Sequence, residues 1–103
     1  MKNIFKSVKD DDIEAVKKYI KNGGDIDKQD DSGWTPLYTS CYWNNKEIAE
    51  MLLKHGADVN KAAKDGTTPL DISIEKNNKD IIELLLNQPH IKISKQNLKI
   101  PLI

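Results

Sequence analysis

Arginine is absent from this chain: all sixteen basic residues are lysine. The bidentate fork that grips phosphate or carboxylate is therefore missing. Sixteen acidic residues cancel the lysines to a formal charge of zero, so no global field draws the chain toward nucleic acid or an anionic membrane. A single cysteine, Cys41, rules out an internal disulfide, and a free thiol fits a reducing compartment. No apolar run approaches the length of a membrane span. Met1 to Ser7 lack the apolar core of a cleavable signal, and a cytoplasmic location is expected.

Catalytic constellations are lacking as well. Cys41, His55 and His90 lie far apart in sequence, and Cys41 occupies a position that Val8 and Ile74 share, which predicts a small buried side chain rather than a nucleophile. The acidic stretch from Asp25 to Asp31 resembles a calcium loop only faintly. Its sixth position would be Asp30 instead of glycine and its twelfth Pro36 instead of glutamate, so the calcium-loop pattern fails. Gly23-Gly24 is a helix stop, not a phosphate cradle. We expect no enzyme, no cofactor and no metal.

What the chain does have is repetition at a spacing of thirty-three residues. Gly23-Gly24-Asp25-Ile26-Asp27 returns as Gly56-Ala57-Asp58-Val59-Asn60, and Ser32-Gly33-Trp34-Thr35-Pro36-Leu37 as Asp65-Gly66-Thr67-Thr68-Pro69-Leu70. A period of this length marks stacked supersecondary units, none able to bury its apolar face alone. Thr35-Pro36 and Thr68-Pro69 open helices, the hydroxyl accepting a first-turn N–H and proline giving up a donor without a partner. These first helices are expected near 36–43 and 69–76, with an equivalent near 3–9. Ser7, Ser40 and Ser73 share a column where helices approach closely.

Asp11-Asp12, Asn44-Asn45 and Asn77-Asn78 predict tight turns through the left-handed region, each capping the helix that follows. Second helices are expected near 12–21, 45–54 and 78–87. Their apolar stripes are Ala15, Val16, Tyr19 and Ile20; Ile48, Ala49, Leu52 and Leu53; and Ile81, Ile82, Leu85 and Leu86. Lys17, Glu50 and Glu83 fall on the outer face.

In these motifs the sequence resembles the ankyrin repeat family. Gly33-x-Thr35-Pro36-Leu37-Tyr38, Glu47-Ile48-Ala49-x-x-Leu52-Leu53-x-x-Gly56-Ala57-Asp58-Val59-Asn60 and Gly66-x-Thr68-Pro69-Leu70 carry the likeness over about residues 2–87. It implies an all-α fold, an ankyrin-repeat solenoid of three antiparallel helix pairs joined by β-hairpin-like loops. The expected organisation is one domain, 1–103, with units of about 1–31, 32–64 and 65–97 and an irregular tail from 88 to 103. Tyr38 and Asp71 stand where the family usually has histidine, which puts the customary threonine–histidine bond in doubt.

The terminal units differ. Lys6 stands where the later units have Thr39 and Ile72, and Lys18 where they have Met51 and Leu84, which makes the first unit a polar cap. Ile72, Ile74 and Leu84 keep an interior character, so the last unit requires cover. Ile91, Ile93, Leu98 and Ile100 are expected to fold back over it and leave a monomer; the alternative is dimerisation or array assembly through the C-terminal face.

The resemblance implies a protein partner docking on the loop tips and the concave face of the first helices. On this chain those positions include Asp31, Ser32 and Trp34, then Lys64, Asp65 and Thr67, with Tyr42, Trp43, Glu75 and Lys76 on the helices. Tyr38 lies one turn before Tyr42. Four of the six aromatic residues thus gather in the middle unit, and aromatic side chains dominate binding hot spots. Asp30, Asp31 and Asp65 favour a partner that carries basic side chains. The competing expectation is that Trp34 and Trp43 pack on each other to stiffen the loop. An inhibitor or immunity-type protein that occludes a partner's site is a special case of the first reading.

Overall fold

The computed structural model describes residues 3–94. Six helices follow in order: α1 Ile4–Lys9, α2 Ile13–Lys21, α3 Pro36–Trp43, α4 Lys46–Lys54, α5 Pro69–Glu75 and α6 Lys79–Leu86. Each lies within two residues of its expected bounds. No strand occurs among the described residues. The loops expected to be hairpin-like are closed by Asp30 N donating to Trp34 O at 3.0 Å and Ala63 N to Thr67 O at 2.9 Å. Gly33 makes one of these turns possible. Its φ is +80°, and a β-carbon there would meet Lys64 N at 2.7 Å. The neighbouring loop can therefore come close enough for Lys64 N to donate to Ser32 O.

Helix starts follow the threonine rule. Thr35 Oγ1 accepts from Tyr38 N at 3.0 Å. Thr68 Oγ1 accepts from Asp71 N at 3.1 Å while Asp71 Oδ2 accepts from Thr68 N at 3.0 Å, a reciprocal capping box. Asp71 thus supports its helix start with a carboxylate where the family has histidine.

The helix-to-helix turns pass through the left-handed region at Asp11, Asn44 and Asn77, with φ of 55°, 60° and 58°. The next residue in each turn does not cap uniformly. Asp12 caps α2 through Ala15 N at 3.2 Å, but Asn45 and Asn78 make no side-chain cap bond. Their amides reach across instead: Asn45 Nδ2 donates to Val8 O, and Asn78 Nδ2 to Cys41 O at 2.7 Å. A carboxylate can only accept, whereas an amide also donates. The two asparagines therefore bind the end of the preceding unit's first helix, and the aspartate, with no unit before it among the described residues, caps its own.

First helices pack on first helices, α1 on α3 and α3 on α5, and second helices on second helices, α2 on α4 and α4 on α6. Central α3 is the most enclosed, with Pro36, Leu37, Tyr38, Thr39, Ser40 and Cys41 all buried. Val16, Ile48, Leu52, Ile81 and Leu85 extend the core along the second helices. Ser7, Ser40 and Ser73 are buried on the first helices, and Ser73 Oγ donates to Pro69 O at 2.8 Å.

At the last unit the expectations divide. Ile72 is only 4% exposed and Ile91 packs against the core, so cover is already present there. Ile93, expected to help, is 53% exposed, and Leu86, expected on the buried stripe, is 43% exposed. No helix among the described residues packs beyond α6. The returning segment is held by Asn60, whose Nδ2 donates to His90 O at 2.7 Å and whose Oδ1 accepts from Lys92 N at 2.9 Å. Leu98 and Ile100 lie outside the described residues.

Candidate functional site

Trp34 enters the middle unit just before α3. Its backbone N–H donates to Asp30 Oδ1 at 2.9 Å, which fixes the turn and aims the indole along the helix. Tyr38 and Tyr42, four residues apart, share one face of α3. The Trp34 ring lies 4.8 Å from Tyr38 and 4.9 Å from Tyr42, and Tyr42 meets Trp43 edge-on at 5.0 Å. Tyr42 therefore stands between the two tryptophans. The expected direct packing of Trp34 on Trp43 is replaced by a relay of rings.

Exposure grades along this relay. Tyr38 is 3% exposed, Trp34 and Tyr42 are half-buried, and Trp43 is 43% exposed. Tyr38, expected among the contact residues, is thus a buried support. Burial pushes its hydroxyl up to about 12, with Asp65 and Glu75 adding to the shift and a hydrogen bond with Thr67 opposing it. The phenol stays neutral in the physiological range and anchors the loop above it.

Two lysines from the flanking units lie on the outer rings. Lys76 Nζ is 4.3 Å from the Tyr42 centroid and Lys9 Nζ 5.0 Å from that of Trp43, both within cation–π reach. Lys76 was among the expected site residues; Lys9 was not. Lys9 occupies the same column as Tyr42 and Glu75, and extending the register into the first unit would have found it.

At the loop tips Asp31, Ser32, Lys64 and Asp65 are exposed and Thr67 is half-buried. Asp65 Oδ1 accepts from Thr67 N at 2.9 Å, and that bond holds its carboxyl below the usual range. Gln29 ties the two tips together, its Nε2 donating to Gly33 O at 2.9 Å and to Ala62 O at 3.3 Å. Glu75 is exposed beside Lys76. The structure therefore brings Trp34, Tyr42, Trp43, Lys76 and Lys9 into one patch. Asp31, Ser32, Lys64, Asp65 and Thr67 sit on the adjoining tips.

Cys41 is fully buried, and burial raises its thiol to about 12 against hydrogen bonds with Ser73 and Ser40. A thiol so protonated is a poor nucleophile. Among the described residues no three acidic, histidine or cysteine side chains cluster to hold a metal, and no helix is long and apolar enough to cross a membrane. A concavity between α2, α4 and α6 is lined by Ile20, Met51, Leu53 and Leu84 together with lysines and glutamates.

Comparison with known proteins agrees with this architecture. A family model for ankyrin repeats in three copies matches residues 4–97. Protein phosphatase 1 regulatory subunit 27 is similar over 49 residues, at 37% identity for the Homo sapiens protein and 38% for that of Mus musculus. The matched stretch is 48% of this chain and 32% of each relative.

Proposed function

This chain belongs to the ankyrin repeat family, and on that premise we propose that it is a non-enzymatic protein–protein interaction module. Its partner docks on the loop tips and the concave side formed by the first helices, with the middle unit at the centre. The observation that carries this reading is Trp43, 43% exposed and held edge-on by Tyr42. An ordered aromatic ring at the surface gains contact area without first losing side-chain freedom. Asp31 and Asp65 at the tips steer basic side chains of the partner toward the patch. The relatives' name describes a regulatory subunit of a phosphatase, which supports a role in occupying another protein rather than in catalysis. Inhibition of that partner, in the manner of an immunity protein, is the special case we favour, in the cytoplasm.

Trp43→Ala tests this. Capture of a partner from native extract should fall while the melting temperature stays within a few degrees of wild type. Equal capture by both proteins would overturn the reading.

A second reading rests on the last unit. Leu86 and Ile93 are exposed there, and Asn60 holds residues 90–92 beside the preceding loop. On this reading the chain is a subunit of a longer array that assembles through its C-terminal face. Sedimentation separates the two: a monomer across the micromolar range supports the first, and self-association abolished by Leu86→Lys supports the second.

A further inference from the structure

Cation–π contacts usually stiffen a surface and no more. Here the two ammoniums come from different units and converge on the rings of a third. Lys9 ends α1 and Lys76 caps α5, where helix C-termini also attract positive charge. Among the described residues neither Lys9 nor Lys76 has a carboxylate partner, whereas Lys6, Lys17 and Lys46 have Asp10, Glu14 and Glu50. Asp10, the carboxylate next to Lys9, is held by Lys6 Nζ at 3.2 Å. Glu75, next to Lys76, is exposed.

We propose that the patch of Tyr42, Trp43, Lys9 and Lys76 receives an acidic peptide segment of the partner protein. Two of its carboxylates pair with the two ammoniums, and an apolar side chain between them covers Trp43. The inference rests on the middle unit being the recognition surface and names the chemistry it recognises.

Three features carry it. Each lysine is already ordered on a ring, so less side-chain freedom remains to be lost on binding. A ring quadrupole attracts the ammonium without consuming its N–H donors, which are left for a carboxylate. Spacing also fits. The three centroid distances laid end to end place the ammoniums no more than about 14 Å apart, a span covered by roughly four residues of extended chain at ~3.3 Å each. The acidic tips lie one length of α3 away, about 12 Å for its eight residues. The partner surface is therefore polarised, basic toward Asp31 and Asp65 and acidic toward Lys9 and Lys76.

Random twelve-residue peptides displayed on phage, selected against the immobilised full chain, test this. Enriched peptides should carry at least two Asp or Glu within about four residues, around a Trp, Phe or Leu. They should bind Lys9→Glu/Lys76→Glu at least about tenfold more weakly and lose affinity with added salt. Lys9→Gln/Lys76→Gln should show an intermediate loss and serves if the reversal unfolds the chain. Peptides that require Trp43 but carry no acidic bias, or that bind the charge-reversed chain equally, overturn the inference and leave the recognition surface standing. Peptides indifferent to Trp43→Ala, or no enrichment at all, overturn both.

Discussion

The ring of Tyr19 lies on the backbone of Gly24: a β-carbon at position 24 would stand 2.5 Å from Tyr19 Cζ. Tyr19 Oη continues past it and donates to Asp25 O at 2.7 Å. One period later the same two columns hold Leu52 and Ala57, both buried. A large ring over glycine in one unit corresponds to a smaller side chain over alanine in the next. The repeat keeps its volume by changing both partners.

Gly24→Ala should therefore destabilise the chain by about 1–3 kcal/mol through overpacking. Tyr19→Leu alone loses the hydroxyl bond and some buried area. In the Tyr19→Leu background the alanine should cost far less, a coupling that urea unfolding of the four proteins measures. Additive losses would show that the two residues do not share this space.

The cross-unit asparagines give a sharper contrast. Asn78→Asp replaces the amide donor by a carboxylate facing Cys41 O, so it should cost about 1–3 kcal/mol despite aspartate being a good helix cap. Asn45→Asp, facing Val8 O, should behave alike. If either change is neutral or stabilising in thermal melts, capping outweighs the bond between units.

Trp34 and Trp43 should separate by mutation. Trp34→Ala removes a half-buried ring packed on Tyr38 and Tyr42 and should lower stability by roughly 2–4 kcal/mol. Trp43→Ala, at the exposed end of the relay, should lower it by less than about 1 kcal/mol. Equal losses would make Trp43 a packing residue.

Alkaline pH supplies an independent test of burial. Tyr38 and Cys41 have folded pKa values of about 12, above ordinary values of 10.0 and 9.0. Between the ordinary and folded values the unfolded chain has released these protons and the native chain still holds them, so stability falls as pH rises. The urea midpoint should be insensitive to these groups below pH 9 and decline from there toward pH 12. Cys41→Ala should remove the part that begins near pH 9 and Tyr38→Phe the part that begins near pH 10. A decline unchanged by either substitution would mean that other groups cause it.

Much of this was legible in the chain. Thr35-Pro36, Thr68-Pro69, the Asp/Asn turns and Gly23 and Gly56 act within a few residues of themselves, so local chemistry predicts the helices and their ends. The burial of Tyr38 was not legible, because its column neighbour Asp71 faces the helix cap and nothing local says that Trp34 will cover a tyrosine. Nor was the donor role of Asn45 and Asn78, since capping and reaching across begin from the same turn. Ile93 failed as a cover because an apolar side chain in a tail identifies a need for burial and not its partner.

The sequence by itself determined the period, the six helices and the gathering of aromatics in the middle unit, since these depend on backbone preferences and side-chain spacing at short range. Only the tertiary structure decided which ring is a support and which is a surface, and that Lys9 from one flank and Lys76 from the other lie over the neighbouring rings of Trp43 and Tyr42. The lysine contacts join residues a full period or more apart. The ring contacts lie within one unit but bring a loop residue onto a helix face, and packing rather than backbone preference settles both.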